Sequence, residues 1–348
     1  MQPRRAMERM RERKRRRRDR RDRLLAAGIR GLRRFARALG PRVTITLSAA
    51  AARLVGRILP GPRKLALMQL GWALPELDDQ QRTRVVDRMF DGLGRSLGEL
   101  LVLDLISAEL DRWVRIEGAE LLESALAGGR GVVSISGHIG NWEIMAATLA
   151  LRGYPLTVVA TEVKGRRLNQ ENVALRASVG VETILRSAPG SARDLLRTLR
   201  RGGLLGLLID QDTRVQSVTV PFFGRPARTP VGAAALALRT DAPVVGIFIH
   251  READGRHLIK ILDPQLPPRP LRDGAARPGA ATDDADGDDR GPLRASSHRE
   301  IWQVEATAVM TRLIERQIRN HPESWVWWHR RWGLDDAVPI AAPPDLRP

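Results

Sequence analysis

Apolar and polar positions fall into two textures along this 348-residue chain. From Leu24 to about residue 110 the apolar positions recur at steps of three and four, which predicts helices. Leu25, Ile29, Leu32, Phe35 and Leu39 form one stripe, and Arg30, Arg33, Arg34 and Arg37 fill the gaps. A basic amphipathic helix of this kind suits a membrane surface. It suits equally a helix packed on a domain by its apolar stripe. Pro60-Gly61-Pro62 marks a break in the helical region. From residue 113 short apolar runs alternate with helical stretches. Val132–Ser136, Leu156–Ala160, Leu204–Ile209 and Val244–Ile249 read as buried strands, with helices over 141–152, 190–201 and 230–240. This alternation predicts an α/β domain over 111–333, a mostly parallel sheet flanked by helices, behind a helical N-terminal region at 24–110. A further helix is expected from about 299 to 319. The segment 266–298, rich in Pro, Gly, Ala and Asp, is expected to be a mobile insert, and 334–348 a tail.

Composition narrows the function classes. With 43% hydrophobic residues the chain can bury a full core, and with no cysteine it has no thiolate nucleophile and no disulfide. The net charge is +18, and residues 1–23 hold thirteen Lys and Arg against four Asp and Glu, a surplus of nine. This arm is expected to lack regular structure and to be drawn to a polyanion, either nucleic acid or an anionic membrane surface. No apolar run suitable for a secretory signal follows it. The uncharged stretch Val43–Ala52 is ten residues long, whereas a bilayer span needs about 20.

Candidate chemistry gathers at Gly131-Val-Val-Ser-Ile-Ser-Gly-His138-Ile-Gly-Asn141-Trp-Glu143. A buried strand ends at Gly137 and His138 sits at the mouth of the next turn, where open α/β sheets collect ligands. A histidine there can take a proton from a hydroxyl if a partner holds its other ring nitrogen. Glu143 is the nearest carboxylate in sequence, and Asn141 can start the intervening helix. The plainer alternative is a capping histidine and a glutamate favouring the helix's positive end. Asp210 and Asp212 end an apolar strand, as site residues or as turn formers. No third ligand joins them locally, so no metal site is expected. Pro221-Phe222-Phe223-Gly224 suits an acyl groove or core packing. Four tryptophans within 325–332 suit a membrane interface, stacking on single-stranded nucleic acid, or burial against the sheet.

His138-Ile-Gly-Asn-Trp-Glu143 resembles the His-x4-(Asp/Glu) motif of glycerolipid acyltransferases, most closely the late acyltransferases of lipid A biosynthesis. Leu185-Arg186, the run Leu204 to Asp212, Val220-Pro-Phe-Phe-Gly224, Thr229-Pro-Val-Gly and the closing His321 to Trp332 extend the likeness over about 50–333. The resemblance implies a glycerolipid-acyltransferase-like fold and direct acyl transfer without a covalent intermediate. His138, oriented by Glu143, would deprotonate an acceptor hydroxyl that attacks an acyl thioester. The oxyanion would need donors nearby, and backbone N–H groups at the helix start after His138 are one candidate. Asn141, Arg186, Asp210 and Asp212 would contact substrate. The implied donor is carried by acyl carrier protein or coenzyme A, with no further cofactor. The implied acceptor is a lipid A precursor, or another glycolipid such as a mannosylated phosphoinositide. The implied place is the cytoplasmic face of the bacterial inner membrane. A rival class is a nucleic-acid-binding protein using the basic arm. The lack of an RNA-binding aromatic motif argues against it.

Overall fold

The structure is a computed structural model that describes residues 2–163, 165–270 and 298–333, with side chains from Arg17 on, Arg18 excepted. Six helices come first: α1 Gln2–Leu39, α2 Pro41–Ile58, α3 Pro60–Ala73, α4 Asp79–Leu101, α5 Leu103–Ala108 and α6 Leu110–Trp113. The α/β part follows as β1 Val114–Glu117, α7 Ala119–Ala127, β2 Val132–Ser136, α8 Trp142–Leu151, β3 Leu156–Ala160, α9 Arg166–Ala177, β4 Glu182–Leu185, α10 Ser191–Arg200 and β5 Leu204–Leu208. It continues through β6 Ser217–Phe222, β7 Arg225–Pro230, α11 Gly232–Thr240, β8 Val244–Arg251, β9 His257–Leu262 and α12 His298–Asn320.

The N-terminal arm corrects the sequence reading. Residues 2–23 are not an irregular arm but the first part of α1. Arg, Lys, Glu and Met are good helix formers, and no glycine interrupts the run before Gly28. Helix α1 turns one side inward, burying Asp22, Ala26 and Ala36, while Leu25, Leu32 and Phe35 stay exposed. Gly40 separates α1 from α2, and α3 begins at Pro60, so the Pro-Gly-Pro cluster opens a helix. Among the described residues no single helix is long and apolar enough to cross a membrane; α2 and α3 reach that composition together but meet at 86°. Helix α4 starts with a reciprocal capping box between Asp78 and Gln81.

Among the described residues the main sheet has seven strands in the order β1-β9-β8-β2-β5-β3-β4, and β6 and β7 form a separate hairpin. Strands β8, β2, β5, β3 and β4 run parallel, and β9 pairs antiparallel with β8. The expected mostly parallel sheet is therefore present, with an antiparallel turn at one edge. Strand β2 is buried along its whole length, as a central parallel strand must be. Apolar cores cover both faces of the sheet. One gathers α3, α4, α11, α12 and the tryptophan-rich end, the other α5, α8 and their neighbours. The insert expected at 266–298 lies outside the described residues between 271 and 297, as does the tail.

Candidate active site

Strands β2 and β5 pair in parallel with a constant register, Val132 beside Leu204 through Ser136 beside Leu208. Continued two residues past both strand ends, that register brings His138 to Asp210. The His138 backbone N–H donates to Asp210 Oδ2 at 2.7 Å, and His138 Nδ1 lies 2.8 Å from Oδ1. Trp325 adds a third donor, Nε1 to Oδ2 at 2.8 Å. Gly137 allows this approach, because a Cβ there would lie 3.2 Å from Asp210 Oδ2. Burial alone would raise the Asp210 pKa, but the neighbouring His138 and the donors from His138 and Trp325 hold it below the ordinary carboxylate value.

An ionised carboxylate only accepts hydrogen bonds, so Asp210 sets the tautomer with the proton on His138 Nδ1. Nε2 is left as the basic nitrogen. It has no hydrogen-bond partner among the described residues, and the ring is 23% exposed. Trp142 packs edge-on against it, with centroids 4.9 Å apart. His329 lies close enough that, after burial, the His138 charge further lowers its pKa.

The structure corrects the role expected for Glu143. In the first turn of α8, its carboxylate is clasped by the Arg176 guanidinium of α9, with Nε to Oε2 at 2.9 Å and Nη2 to Oε1 at 2.5 Å. Hydrogen bonding to Glu143 raises the Arg176 pKa. Glu143 thus ties α8 to α9 in a bidentate pair and does not hold the imidazole. Sequence reasoning missed Arg176, which looks like any polar helix residue. It also assigned Asp210 to substrate when Asp210 is the histidine's partner.

Asn141 caps α8, its Oδ1 accepting from Ile144 N at 3.2 Å. Gly140 has φ +59°, and a Cβ there would lie 2.4 Å from the Ile249 carbonyl oxygen, so this turn requires glycine. Its N–H donates to the Ser324 carbonyl, and that of Ile139 to Gly137. These two amides are therefore engaged within the fold. Arg186 follows β4 on the same carboxyl edge as His138, three strand spacings away, roughly 14 Å. It is partly buried, and its guanidinium makes no hydrogen bond or ion pair among the described residues. Asp212 faces outward and pairs with Arg228 at 3.4 Å. Among the described residues no cluster of three or more His, Asp or Glu is arranged to hold a metal ion.

Three of the four C-terminal tryptophans belong to the core, and Trp328, 39% exposed, lies at the surface. Trp325, Trp327 and Trp332 are at most 2% exposed, and Phe222 and Phe223 pack among them. This burial removes them from any stacking surface for nucleic acid. Gln69 of α3 holds the segment by donating to the carbonyls of Trp327 and His329 and accepting from Arg331 N.

A family model for bacterial lipid A biosynthesis acyltransferases matches residues 11–278. The phosphatidylinositol mannoside acyltransferase of Mycobacterium tuberculosis H37Rv is 35% identical over 144 residues, 40% of this chain and 44% of that protein. The protein of the same description from Mycolicibacterium smegmatis is 33% identical over 138 residues, covering 38% and 45% of the two chains. The aligned stretch is thus under half the length of these mycobacterial relatives. The lipid A biosynthesis lauroyltransferase of Escherichia coli K12 is 22% identical over 303 residues, 83% of this chain and 85% of that protein.

Proposed function

The chain belongs to the bacterial lipid A biosynthesis acyltransferase family, and on that premise we propose that it transfers a fatty acyl chain from a thioester to a hydroxyl of a glycolipid, with His138 as base and Asp210 as its partner. The carrying observation is the Asp210-held imidazole with Nε2 left open at the carboxyl edge of the sheet. In this mechanism Nε2 takes the proton of the acceptor hydroxyl as its oxygen attacks the thioester carbonyl. The negative charge of Asp210 stabilises the imidazolium. Collapse of the tetrahedral intermediate breaks the C–S bond, and the departing thiolate takes the proton back, leaving an ester and a thiol. No protein nucleophile enters the reaction.

The donor we assign is an acyl thioester on acyl carrier protein or coenzyme A, and the acceptor a lipid A precursor. A mannosylated phosphoinositide is the second reading, favoured by the higher identity to the mycobacterial relatives. The protein would work on the cytoplasmic face of the inner membrane, held by the outer side of α1 and α2. Supporting this, ten large apolar residues between Leu24 and Leu59 are exposed, among them Leu32, Phe35, Leu47, Leu54 and Ile58. Arginines 33, 34, 53 and 57 lie among them. Such a surface suits anionic headgroups over acyl chains.

Incubating the purified protein with acyl-carrier-protein and coenzyme A thioesters and each acceptor, then reading product masses, tests the proposal. One added acyl chain on one glycolipid, absent with His138→Ala, is expected. No acylated product from either acceptor with either donor would refute it.

A further inference from the structure

We propose that Glu99 is a positioning residue for this site, acting through Asn141; the inference rests on the reading that His138 performs the chemistry. Among the described residues, two carboxylates are less than 2% exposed, Asp210 and Glu99. They hold opposite ends of one five-residue loop, 137–141. Asp210 takes the His138 end. Glu99, projecting from α4, takes the Asn141 end, with Oε2 accepting from Asn141 Nδ2 at 2.7 Å.

Three further contacts fix Glu99 itself. Oε1 accepts from Arg251 Nη2 at 2.5 Å, and both oxygens lie 3.1 Å from His257 Nε2. Burial would raise its pKa, but His257, Arg251 and Asn141 bring it down to about 2. It is a standing anion, bound to β8 and β9 on one side and to the start of α8 on the other. Because a carboxylate only accepts, Glu99, together with the Ser96 carbonyl 3.4 Å from the same nitrogen, dictates which side of the Asn141 amide bears the nitrogen. The amide oxygen is thereby left for Ile144 N–H, at 3.2 Å.

A helix start needs only the asparagine. A buried charge cluster is a costly addition, and well-packed apolar residues would serve stability as well. What the cluster adds is one fixed orientation of the cap. The capped turn begins three residues after His138 and carries Trp142, whose ring lies against the imidazole. An error of about 1 Å in a reacting group can cost about a hundredfold in rate.

The two polar ends can be exchanged. In Glu99→Gln a donor must face either Asn141 or the Arg251 and His257 donors. In Asn141→Asp two carboxylates meet. In the double variant Glu99→Gln/Asn141→Asp, the glutamine amide donates to the new aspartate while its oxygen still accepts from Arg251 and His257. Each single change is expected to lower kcat about tenfold or more, with KM changed less than about threefold and the double variant within about threefold of the parent. Nitrogen-15 spectra of histidine-labelled protein supply a readout independent of turnover. The His138 ring signals, assigned by their loss in His138→Ala, should move in the single variants and return in the double. Full turnover in a folded single variant, or losses that simply multiply in the double, would overturn the proposal. If a single variant does not fold, the double decides: near-parental kcat supports the clamp, and an unfolded or inactive double refutes it. Transfer that survives His138→Ala while the spectra follow the exchange pattern would refute the catalytic reading and leave the clamp standing.

Discussion

His138 Nδ1 stands 2.8 Å from Oδ1 of Asp210, seventy-two residues away in the chain, whereas Glu143, five residues away, is held by Arg176. The two acids should therefore fail differently. Asp210→Asn keeps the shape but removes the charge facing the imidazole, and turnover should fall by about 10² to 10⁴ with little change in KM. Glu143→Gln should act through Arg176, whose guanidinium loses its ionic partner in a largely buried place, at about 1–3 kcal/mol of stability. If so, Arg176→Gln should reproduce Glu143→Gln, and combining them should be no worse than either alone. Multiplying losses in that double variant would show that Glu143 acts on the reaction independently of Arg176.

Much of the sheet was readable from the sequence because its strands are buried on both faces and stand out as unbroken apolar runs. Val132–Ser136 and Leu156–Ala160 match the structure residue for residue, and Val244–Ile249 is two residues short. Strand β4, with Thr183 inside it, and β1, with Arg115, were not delimited, since neither forms such a run. At the site, residue types were legible and partners were not. His138 and Asn141 are local features of one turn. The pairing of His138 with Asp210 depends on β2 lying beside β5, an order that skips β3 and β4 and leaves no trace in local periodicity. Proximity in sequence pointed to Glu143 for that reason.

Trp325→Phe isolates the third donor to Asp210. Phenylalanine keeps an aromatic ring against Phe222 and Trp327 but loses the indole N–H that donates to Oδ2. Turnover should fall by about three- to tenfold, the worth of one hydrogen bond of about 1 kcal/mol, with KM nearly unchanged. Parental turnover in the folded variant would show that the indole serves packing alone.

Acid should weaken the fold through a stacked histidine pair beside the loop. His250 of β8 and His321 lie with ring centroids 3.8 Å apart. Burial, and then the charges of His321 and Lys260, lower His250 from 6.5 to about 4, with Glu252 opposing and His257 assisting slightly. Burial lowers His321 as well. Between these values the unfolded chain binds a proton that the folded chain does not. Stability contributed by the neutral rings is therefore present above about pH 6.5 and declines as the pH falls toward 4. Melting temperature measured across this window should drop with acidity. His250→Phe keeps a ring and removes the titration, so it should flatten the slope; an unchanged slope would assign the acid sensitivity elsewhere.

Two truncations separate membrane attraction from a structural role inside α1. Residues 2–17 carry nine basic and two acidic side chains, a surplus of seven, and each basic group near an anionic bilayer is worth about 1 kcal/mol, screened by salt. Asp22 lies beyond them and does something different. It is 8% exposed, and its Oδ2 accepts from Arg167 N at 2.8 Å, capping α9, the helix that supplies Arg176. Arg30 pairs with Glu171 of the same helix at 2.5 Å. Removing 2–17 should weaken sedimentation with phosphatidylglycerol vesicles, most at low ionic strength, while leaving the melting temperature and the transfer of soluble substrates unchanged. Removing 2–23 should weaken vesicle binding and also cost about 1 kcal/mol, a shift of a few degrees, because α9 loses its cap. Leu32→Ser/Phe35→Ser should reduce binding to anionic and neutral vesicles alike, since it removes apolar contact and no charge. Both side chains are at least half exposed in the free protein, so its stability should not change. Full vesicle binding by the 2–17 truncation and by the Leu32/Phe35 variant would show that neither the basic turns nor the apolar face of α1 meets the membrane.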